Sequence, residues 1–373
     1  MSDLGPPRIT RLRFDNFKGL QAVTVDVRSR FQLLIGRNAC GKSSVLDGAF
    51  LVTRVFAPVE GKDDWVAADR ASYLFTGSSD ERRLTTKGAP PESLSLGFTS
   101  DGRAWWMQQS APRTDGWRLS TASEIELQKP VANRTAKDTV TRINATSVRS
   151  IGGDESLGRV LRLRLSASRA SETSTPSAQS AELEPDGHGL PTMLSILAAN
   201  EPDARAAIEE DLRVVVPGAK RVRMPKAEVV RGVWGDSLEV EMDGAGWLPA
   251  DLLSEGTLLT LALLAVLHAP DCPQLVLMDD IDKALHPSAQ RELVTTIRKI
   301  LERKPAVQVI ATAHSPYLLD QFEGDQVCVL HRDKSGIARC RLLSEHPDFN
   351  TWRDKLGTGE FWSTVGEDWV GGG

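Results

Sequence analysis

Residues 36–43 have the sequence Gly-Arg-Asn-Ala-Cys-Gly-Lys-Ser, in which two glycines precede a lysine and a hydroxyl side chain. Glycines at this spacing allow backbone N–H groups to turn toward one anion, and the start of a following helix attracts the same anion. Lys42 would reach the outer phosphates of a phosphate chain, and the Ser43 hydroxyl would bind Mg²⁺. The pattern predicts a phosphate-binding loop; the alternative is a glycine-rich turn that ends in a surface lysine.

A pair of carboxylates follows a hydrophobic run later in the chain. Residues 274–282 are QLVLMDDID, so Asp279 and Asp280 come directly after a predicted buried strand. In α/β proteins ligands bind at the carboxyl ends of such strands. Asp279 would hold Mg²⁺ through water, and Asp280 would orient or deprotonate an attacking water. The alternative is a strand whose end is capped by solvated acids.

Two further segments complete the set of candidate residues. In LLSEGT, residues 252–257, Ser254, Gly256 and the start of an apolar helix predict a second anion site. One phosphate chain does not need two such sites, but two copies of the chain facing head to tail would use both. His314 directly follows a predicted buried strand and is predicted to sense the terminal phosphate; the alternative is a structural histidine.

The elements that must position these residues have the pattern of an α/β protein. Buried strands alternate with amphipathic helices in the last third of the chain, which favours a largely parallel sheet. Residues 8–27 predict a strand pair, and Asp101-Gly102 predicts a hairpin turn between two alternating runs. A second strand pair is predicted within residues 220–242. Small polar residues over 166–187 indicate a linker.

Composition excludes several classes of protein. The net charge of −5 gives no general attraction to nucleic acid or to an anionic membrane. No run approaches about 18 apolar residues, so no membrane span is expected, and the first residues lack the apolar core of an export signal. The four cysteines have neither zinc-site nor disulfide-framework spacing, so we expect reduced thiols and a cytoplasmic location.

The order of GRNACGKS, LLSEGT, LVLMDDIDKALHP and ATAHSPYLLD resembles the ABC-type AAA ATPases of the RecF/SMC/OLD branch. More closely, it resembles the stand-alone OLD-like ATPases of bacterial anti-phage systems. The resemblance implies an α/β ABC-ATPase-type head, with a mostly parallel central sheet, an antiparallel β subdomain and a helical insertion. It implies one domain over 1–373, with an N-terminal lobe (1–165), a flexible linker (166–187) and a C-terminal lobe (188–373).

The resemblance also implies the cofactors ATP and Mg²⁺ and a role for each candidate residue. Asp279 would be the Walker B metal ligand, Asp280 the catalytic carboxylate and His314 the switch histidine, with Lys42 as the catalytic lysine and Ser43 as the metal hydroxyl. The signature segment that acts on the nucleotide of another copy would be Ser254, Glu255 and Gly256. The Walker A loop would comprise Gly36, Arg37, Asn38, Ala39, Cys40, Gly41, Lys42, Ser43 and Ser44.

Two residues depart from the common pattern of this family. Most members have glutamate at the position of Asp280, and the shorter side chain predicts slow hydrolysis. Cys40 lies beside Lys42 at the start of a helix, an environment that predicts a lowered thiol pKa. A redox role and the simple packing of a small residue are the two interpretations of Cys40.

The resemblance implies a homodimer or higher oligomer that acts as an ATP-dependent switch. Long coiled-coil heptads are absent from the sequence, and residues 315–373 are too few for a typical nuclease domain. We therefore expect a separate effector, a nuclease or toxin, in prokaryotic antiviral defence. A scaffold that binds ATP without hydrolysing it is another hypothesis.

A RecF-like DNA-repair ATPase that clamps DNA on ATP-driven dimerisation is the alternative function. It depends on two basic clusters whose alternating residues would share a strand face and contact DNA phosphates. A solvated sheet face explains such clusters equally well. The clusters are Arg159, Arg162, Arg164 and Arg169, and Lys220, Arg221, Arg223, Lys226 and Arg231.

Overall fold

The computed structural model describes residues 4, 5, 7–56, 87, 89, 90, 93–109, 117–140, 158–175 and 183–372. Two compact units are present: Met1–Arg162 with Gln274–Leu277 and Gln308–Gly373, and Leu163–Pro273 with Met278–Val307. The sequence prediction divides the chain only once, at 166–187. Within that segment Ala167–Ala170 is a helix, and residues 176–182 lie outside the described residues.

The described strands, in chain order, are β1 Ile9–Phe17, β2 Leu20–Asp26, β3 Phe31–Ile35, β4 Ser95–Ser100, β5 Arg103–Gln109, β6 Trp117–Ser123, β7 Asp138–Val140, β8 Val160–Leu163, β9 Ala219–Arg223, β10 Lys226–Val230, β11 Val233–Asp236, β12 Glu239–Met242, β13 Gly246–Pro249, β14 Leu275–Met278, β15 Gln308–Thr312, β16 Val327–Arg332 and β17 Ala338–Leu342. The α-helices are α1 Lys42–Phe56, α2 Glu124–Gln128, α3 Ala167–Ala170, α4 Leu190–Asn200, α5 Pro202–Val215, α6 Glu255–His268, α7 Pro287–Arg303, α8 Pro316–Leu319, α9 Phe349–Trp352 and α10 Thr358–Val365.

An antiparallel sheet in the first unit has the strand order β2-β1-β4-β5-β6-β7. The predicted pairing of β1 with β2 is confirmed. The predicted hairpin is confirmed as well: Asp101 and Gly102 both have positive φ, at 47° and 73°, as the tight turn between β4 and β5 requires. This sheet is the antiparallel β subdomain expected from the sequence.

A second sheet in the first unit carries the predicted phosphate loop. Its order is β17-β16-β3-β15-β14-β8; β3 pairs in parallel with β15 and with β16, and β17 is antiparallel to β16. Every residue of β3 is buried, as a central strand of an α/β sheet requires. Leu34 of β3, Val45 and Ala49 of α1 and Phe14 of β1 belong to one hydrophobic core. That core fixes the two ends of the loop between β3 and α1.

The second unit is largely helical. Helix α6 is buried on all sides from Gly256 to Leu267, whereas α7 buries one face, as its apolar periodicity predicts. The last turn of α6 is joined to α5 by a hydrogen bond between His268 and Asp211, 2.7 Å long.

The prediction of a single strand pair within 220–242 is wrong. Strands β9 and β12 form a three-stranded sheet with β13, whereas β10 and β11 form a separate hairpin. Pro225 lies between β9 and β10 and lacks the N–H that would continue one ladder.

No helix in the described part of the chain is both long and apolar enough to cross a membrane.

Candidate functional site

The backbone of residues 36–41 turns tightly between β3 and α1. Gly36, Ala39 and Gly41 have φ values of 139°, 62° and 116°, all in the region that favours glycine. A Cβ on Gly36 would lie 2.1 Å from the carbonyl oxygen of Leu330 in β16, so no other residue fits there. The two glycines therefore allow the loop to curl closely over the end of the sheet.

Lys42 is buried and its ammonium lies across the loop. Its Nζ donates to the carbonyl oxygen of Gly36 at 2.7 Å and to that of Arg37 at 3.2 Å. Asn38 and Ser43 are exposed, and Ser44 is half-buried. The lysine and the start of α1 are thus held at the same end of the loop, which is the arrangement that phosphate binding needs.

The predicted lowering of the Cys40 pKa is wrong. Burial raises the pKa of the Cys40 thiol, and this effect outweighs the lowering by the nearby Lys42 charge and by a backbone hydrogen bond. Cys40 is 3% exposed, and its sulfur would lie 3.0 Å from a Cβ on Gly36. The structure therefore favours the packing interpretation over a reactive thiol.

His314 lies at the same end of the sheet as the phosphate loop. It follows β15, which pairs with β3 so that Thr312 is opposite Leu34, and the N–H of Ala313 donates to the Leu34 carbonyl at 3.2 Å. The side chain of His314 is exposed. Parallel pairing of two neighbouring strands thus brings this histidine to the edge from which the loop begins.

Asp279 and Asp280 directly follow β14 and belong to the second unit. Asp279 is paired with Arg164, whose Nε lies 3.3 Å from the carboxylate oxygen Oδ2. The N–H of Asp279 donates to the carbonyl of Leu163 at 3.1 Å, which places Arg164, the next residue, beside it. The sequence places Arg164 in a candidate DNA-binding cluster and does not predict this pairing with Asp279; the relevant signal is that Arg164 directly follows β8, a strand that neighbours β14.

Asp280 has an uncommon backbone conformation. Its φ is 49°, in the left-handed region that aspartate and asparagine tolerate better than most residues, and its side chain is exposed. Glutamate lacks the short polar side chain that makes this conformation accessible. The local backbone therefore gives a physical reason for an aspartate where glutamate is common.

The predicted signature segment packs on the loop that follows Asp280. Ser254 caps α6 by accepting a hydrogen bond from the N–H of Thr257 at 3.2 Å. A Cβ on Gly256 would lie 2.5 Å from the carbonyl oxygen of Ala284, so the glycine allows this close approach. Glu255 is exposed and its carboxylate lies 2.7 Å from Nζ of Lys283. Residues 254–256 and 283–284 are therefore held together in the second unit.

The first basic cluster does not form the predicted strand face, whereas two arginines of the second cluster do. Strand β8 ends at Leu163, Arg162 is 3% exposed, and Arg169 is on α3, where Asp186 accepts a hydrogen bond from its Nε at 2.9 Å. On β9, Arg221 and Arg223 do share a face. Each lies directly opposite a carboxylate of β12 and binds it, in the pairs Arg221–Glu241 and Arg223–Glu239. Two nearby lysines bind carboxylates outside β12, in the pairs Lys220–Asp243 and Lys226–Asp236.

The donor groups of the first unit fit the phosphates of ATP. The loop is closed enough that only glycine fits at residue 36, the lysine ammonium is buried beside it, and a 15-residue helix begins at Lys42. The Ser43 hydroxyl of the first unit is an oxygen donor of the kind that Mg²⁺ prefers, and the Asp279 carboxylate of the second unit is another. The described residues contain no group of three or more His, Cys, Asp or Glu that could hold a metal by themselves.

Comparison with known proteins agrees with this geometry. Residues 129–320, just over half of the chain, match the family described as "AAA domain, putative AbiEii toxin, Type IV TA system". The fold is similar to an SMC head bound to the C-terminal winged-helix domain of ScpA, with a TM-score of 0.59, 13% identity, and coverage of 90% of this chain and 98% of the other.

It is also similar to an SMC head with an extended coiled coil bound to the C-terminal domain of ScpA, derived from Pyrococcus furiosus. That match has a TM-score of 0.54, 12% identity, and coverage of 93% of this chain and 99% of the other. The expected ABC-ATPase-type α/β head is thereby confirmed. The fold is that of SMC heads, an ABC-ATPase-type α/β head, and the chain belongs to the family described as "AAA domain, putative AbiEii toxin, Type IV TA system".

Proposed function

We propose that this chain is an ATP-dependent switch that closes as a dimer on binding MgATP, reopens on hydrolysis, and controls a separate effector while closed. The observation that carries the proposal is the loop over 36–42, in which a tightly curled backbone holds the buried Lys42 ammonium 2.7 Å from the Gly36 carbonyl at the start of α1. Backbone N–H groups, a lysine and a helix start at one point recognise a nucleoside triphosphate.

In the proposed hydrolysis, each candidate residue of the nucleotide site has a separate role. When bound, MgATP supplies the phosphoanhydride bond and a cation that offsets the charge on the phosphates. Lys42 and the start of α1 bind the phosphate chain, while Ser43 and Asp279 provide the oxygen donors for the cation. Asp280 orients the attacking water and accepts its proton, and His314 contacts the terminal phosphate. Because Asp280 is shorter than glutamate, we expect slow turnover.

The exposed start of α6 supports a site that is shared between two copies. Ser254 and Glu255 are exposed, whereas the next residue, Gly256, is buried. The first N–H groups of this 14-residue helix attract anions. In the dimer that we propose, this segment of one copy binds the triphosphate held by residues 36–44 of the other.

The proposed partner is a separate effector protein. The family description associates the matched domain itself with a toxin–antitoxin system, and both similar SMC heads are bound to domains of ScpA. By analogy, the closed dimer would present a surface to a nuclease or toxin, in antiviral defence. Co-expression with the product of a neighbouring gene tests whether the closed dimer binds an effector. The gene product should co-elute with a dimer that is trapped in the ATP-bound state, and it should not co-elute with a variant that cannot bind ATP.

The first experiment compares wild-type protein with Lys42→Ala and with Lys299→Ala, a control that removes an exposed lysine of α7 in the second unit. Binding of a fluorescent ATP analogue should be lost in Lys42→Ala and kept in the control. Phosphate release by wild-type protein above the Lys42→Ala background would exclude the non-hydrolysing scaffold. Equal binding by all three proteins would contradict the proposed nucleotide site.

The DNA-clamping alternative receives less support. The arginines of β9 that would bind phosphates are each opposite a carboxylate, which neutralises that face. ATP-stimulated, salt-dependent binding of duplex DNA that is lost in Arg221→Glu/Arg223→Glu would favour this alternative over the switch.

A further inference from the structure

A buried carboxylate reaches the second residue of the phosphate loop. The side chain of Glu367 is 6% exposed, and its Oε2 lies 3.0 Å from Nε of Arg37, whose side chain is 70% exposed. No motif of the nucleotide site includes Glu367, which comes more than 300 residues after the loop. Both residues belong to the first unit.

Aromatic packing fixes the position of Glu367. Trp369, two residues further on, donates from its indole nitrogen to the Gly366 carbonyl at 3.1 Å, and its ring centroid lies 5.1 Å from that of His346. The ring of His346 in turn lies 5.2 Å from Phe361 of α10. These edge-to-face contacts hold the backbone around Glu367 on both sides. The carboxylate is therefore placed by packing and is not a mobile surface group.

The ion pair constrains Arg37 more than it constrains Glu367. A buried carboxylate is costly unless a cation pairs with it, so Glu367 favours the conformers in which Arg37 reaches it. Arg37 would otherwise be a long, exposed side chain with many rotamers. Glu367 consequently orders a residue that lies in the loop itself.

The constraint on Arg37 continues to Lys42. The carbonyl oxygen of Arg37 accepts hydrogen bonds from Nζ of Lys42 at 3.2 Å and from the N–H of Cys40 at 3.3 Å. Fixing the Arg37 side chain limits rotation of this peptide group. The series Glu367, Arg37, Lys42 thus links a packed segment after α10 to the ammonium that binds phosphate.

We propose that Glu367 is a positioning residue for the phosphate loop, and that it acts through Arg37 to preorganise residues 37–42 for ATP. The proposal rests on the proposed function, because it assumes that this loop binds the nucleotide. It predicts that the ion pair contributes to ATP affinity before any second copy is engaged. A merely structural ion pair would contribute to unfolding stability and leave ATP affinity unchanged.

A double-mutant cycle separates these roles. The proteins are wild type, Arg37→Gln, Glu367→Gln and the double variant, with Asp368→Asn as the control because it removes the adjacent, exposed carboxylate. The dissociation constant for a fluorescent MgATP analogue is measured for each, together with the thermal unfolding midpoint without nucleotide. Amide hydrogen exchange of residues 38–41, also without nucleotide, reports the order of the loop.

We expect Glu367→Gln to weaken binding by up to about fivefold, which is the most that an ion pair with one exposed partner contributes. It should also speed amide exchange of residues 38–41. Added to Arg37→Gln, it should have no further effect, because both changes break one pair. If Glu367→Gln does not fold, Glu367→Asp tests the proposal instead, because it keeps a charged carboxylate at this buried position but draws it back from Arg37 by one methylene, and it should weaken binding in the same direction.

Three results would overturn the proposal. In the first, Glu367→Gln leaves both the MgATP affinity and the amide exchange of residues 38–41 unchanged. In the second, Glu367→Gln weakens MgATP binding equally with and without Arg37, and in the third, Asp368→Asn weakens it as much as Glu367→Gln does. The Lys42→Ala variant shows whether the positioning role of Glu367 or the nucleotide site itself is wrong. If Lys42→Ala abolishes ATP binding while Glu367→Gln does not alter it, only the positioning role is wrong. If Lys42→Ala binds ATP normally, the nucleotide site itself is wrong.

Discussion

The guanidinium of Arg164 lies 3.3 Å from the carboxylate of Asp279, the residue predicted to hold Mg²⁺. Asp279 is largely buried, with its side chain 14% exposed, whereas that of Arg164 is 48% exposed. The same carboxylate cannot serve the arginine and the cation equally well. If Asp279 holds Mg²⁺ as we propose, the cation would compete with Arg164 for this carboxylate.

Arg164→Gln should consequently lower the Mg²⁺ concentration that half-saturates nucleotide binding. A partly exposed ion pair is worth about 1 kcal/mol at most, which corresponds to a shift of up to about fivefold. A Mg²⁺ titration of fluorescent ATP binding measures it, with Arg205→Gln, another half-exposed arginine of the second unit, as the control. A higher Mg²⁺ requirement in Arg164→Gln would mean that the arginine assists the cation.

Gly256→Ala should destabilise the start of α6. The added Cβ would lie 2.5 Å from the Ala284 carbonyl oxygen and 2.9 Å from Leu285, and the contact is with backbone that cannot simply rotate away. Overpacking of this kind costs about 1–3 kcal/mol in the free energy of unfolding. Denaturant unfolding measures the loss. Glu255→Ala is the control, because it removes only an exposed ion pair with Lys283; an equal effect of both changes would refute the steric argument.

Mixing two inactive variants tests whether residues 254–256 act on the nucleotide of another copy. Lys42→Ala removes phosphate binding, and Ser254→Arg obstructs the exposed end of α6. Neither variant should hydrolyse ATP alone. In a mixed dimer, the loop of the Ser254→Arg copy meets the intact α6 start of the Lys42→Ala copy, so phosphate release should reappear on mixing. Full activity of Ser254→Arg by itself would contradict a shared site.

Cys40 should be inert in the folded protein at neutral pH. Because burial raises the pKa of its thiol, the reactive thiolate is rarer than in a free cysteine, whose pKa is about 8.5. The protonated thiol contributes its stability fully below that pH, and the contribution is lost as the pH rises toward the folded-state pKa. Mass spectrometry of native protein treated with iodoacetamide at pH 7.5 should show little alkylation at Cys40. Rapid alkylation there would restore the redox interpretation.

Local patterns were sufficient for much of the fold and for the loop. The spacing of Gly36, Gly41 and Lys42 between an apolar strand and a helix predicts a β3–loop–α1 unit, and the structure confirms it because each part depends on neighbours in the sequence. The apolar helix predicted after LLSEGT is also confirmed, and Ser254 is its N-cap. The family resemblance of the ordered motifs additionally predicted an ABC-ATPase-type head, and the comparison with solved structures confirms that fold.

The contacts that sequence analysis missed join residues far apart in the chain. The pairs Arg164–Asp279 and Arg37–Glu367 depend on which strand ends become neighbours and on aromatic packing, and neither follows from local periodicity. The Cys40 pKa was mispredicted for a related reason: the sequence shows the nearby lysine, but burial comes from the strands and side chains that cover the thiol. Long-range packing therefore decides both the partners and the titration of these groups.

The central claim is that two copies of the chain close together on MgATP. The most direct test is the mass in solution of the Asp280→Asn variant in the presence of MgATP. Asparagine keeps the shape of the side chain and tolerates the φ of 49° at this position, but it cannot accept a proton from water, so bound ATP should persist. Sedimentation velocity should show twice the chain mass with MgATP and the mass of one chain without nucleotide. Protein that binds MgATP and still sediments as a single chain would contradict the dimeric switch.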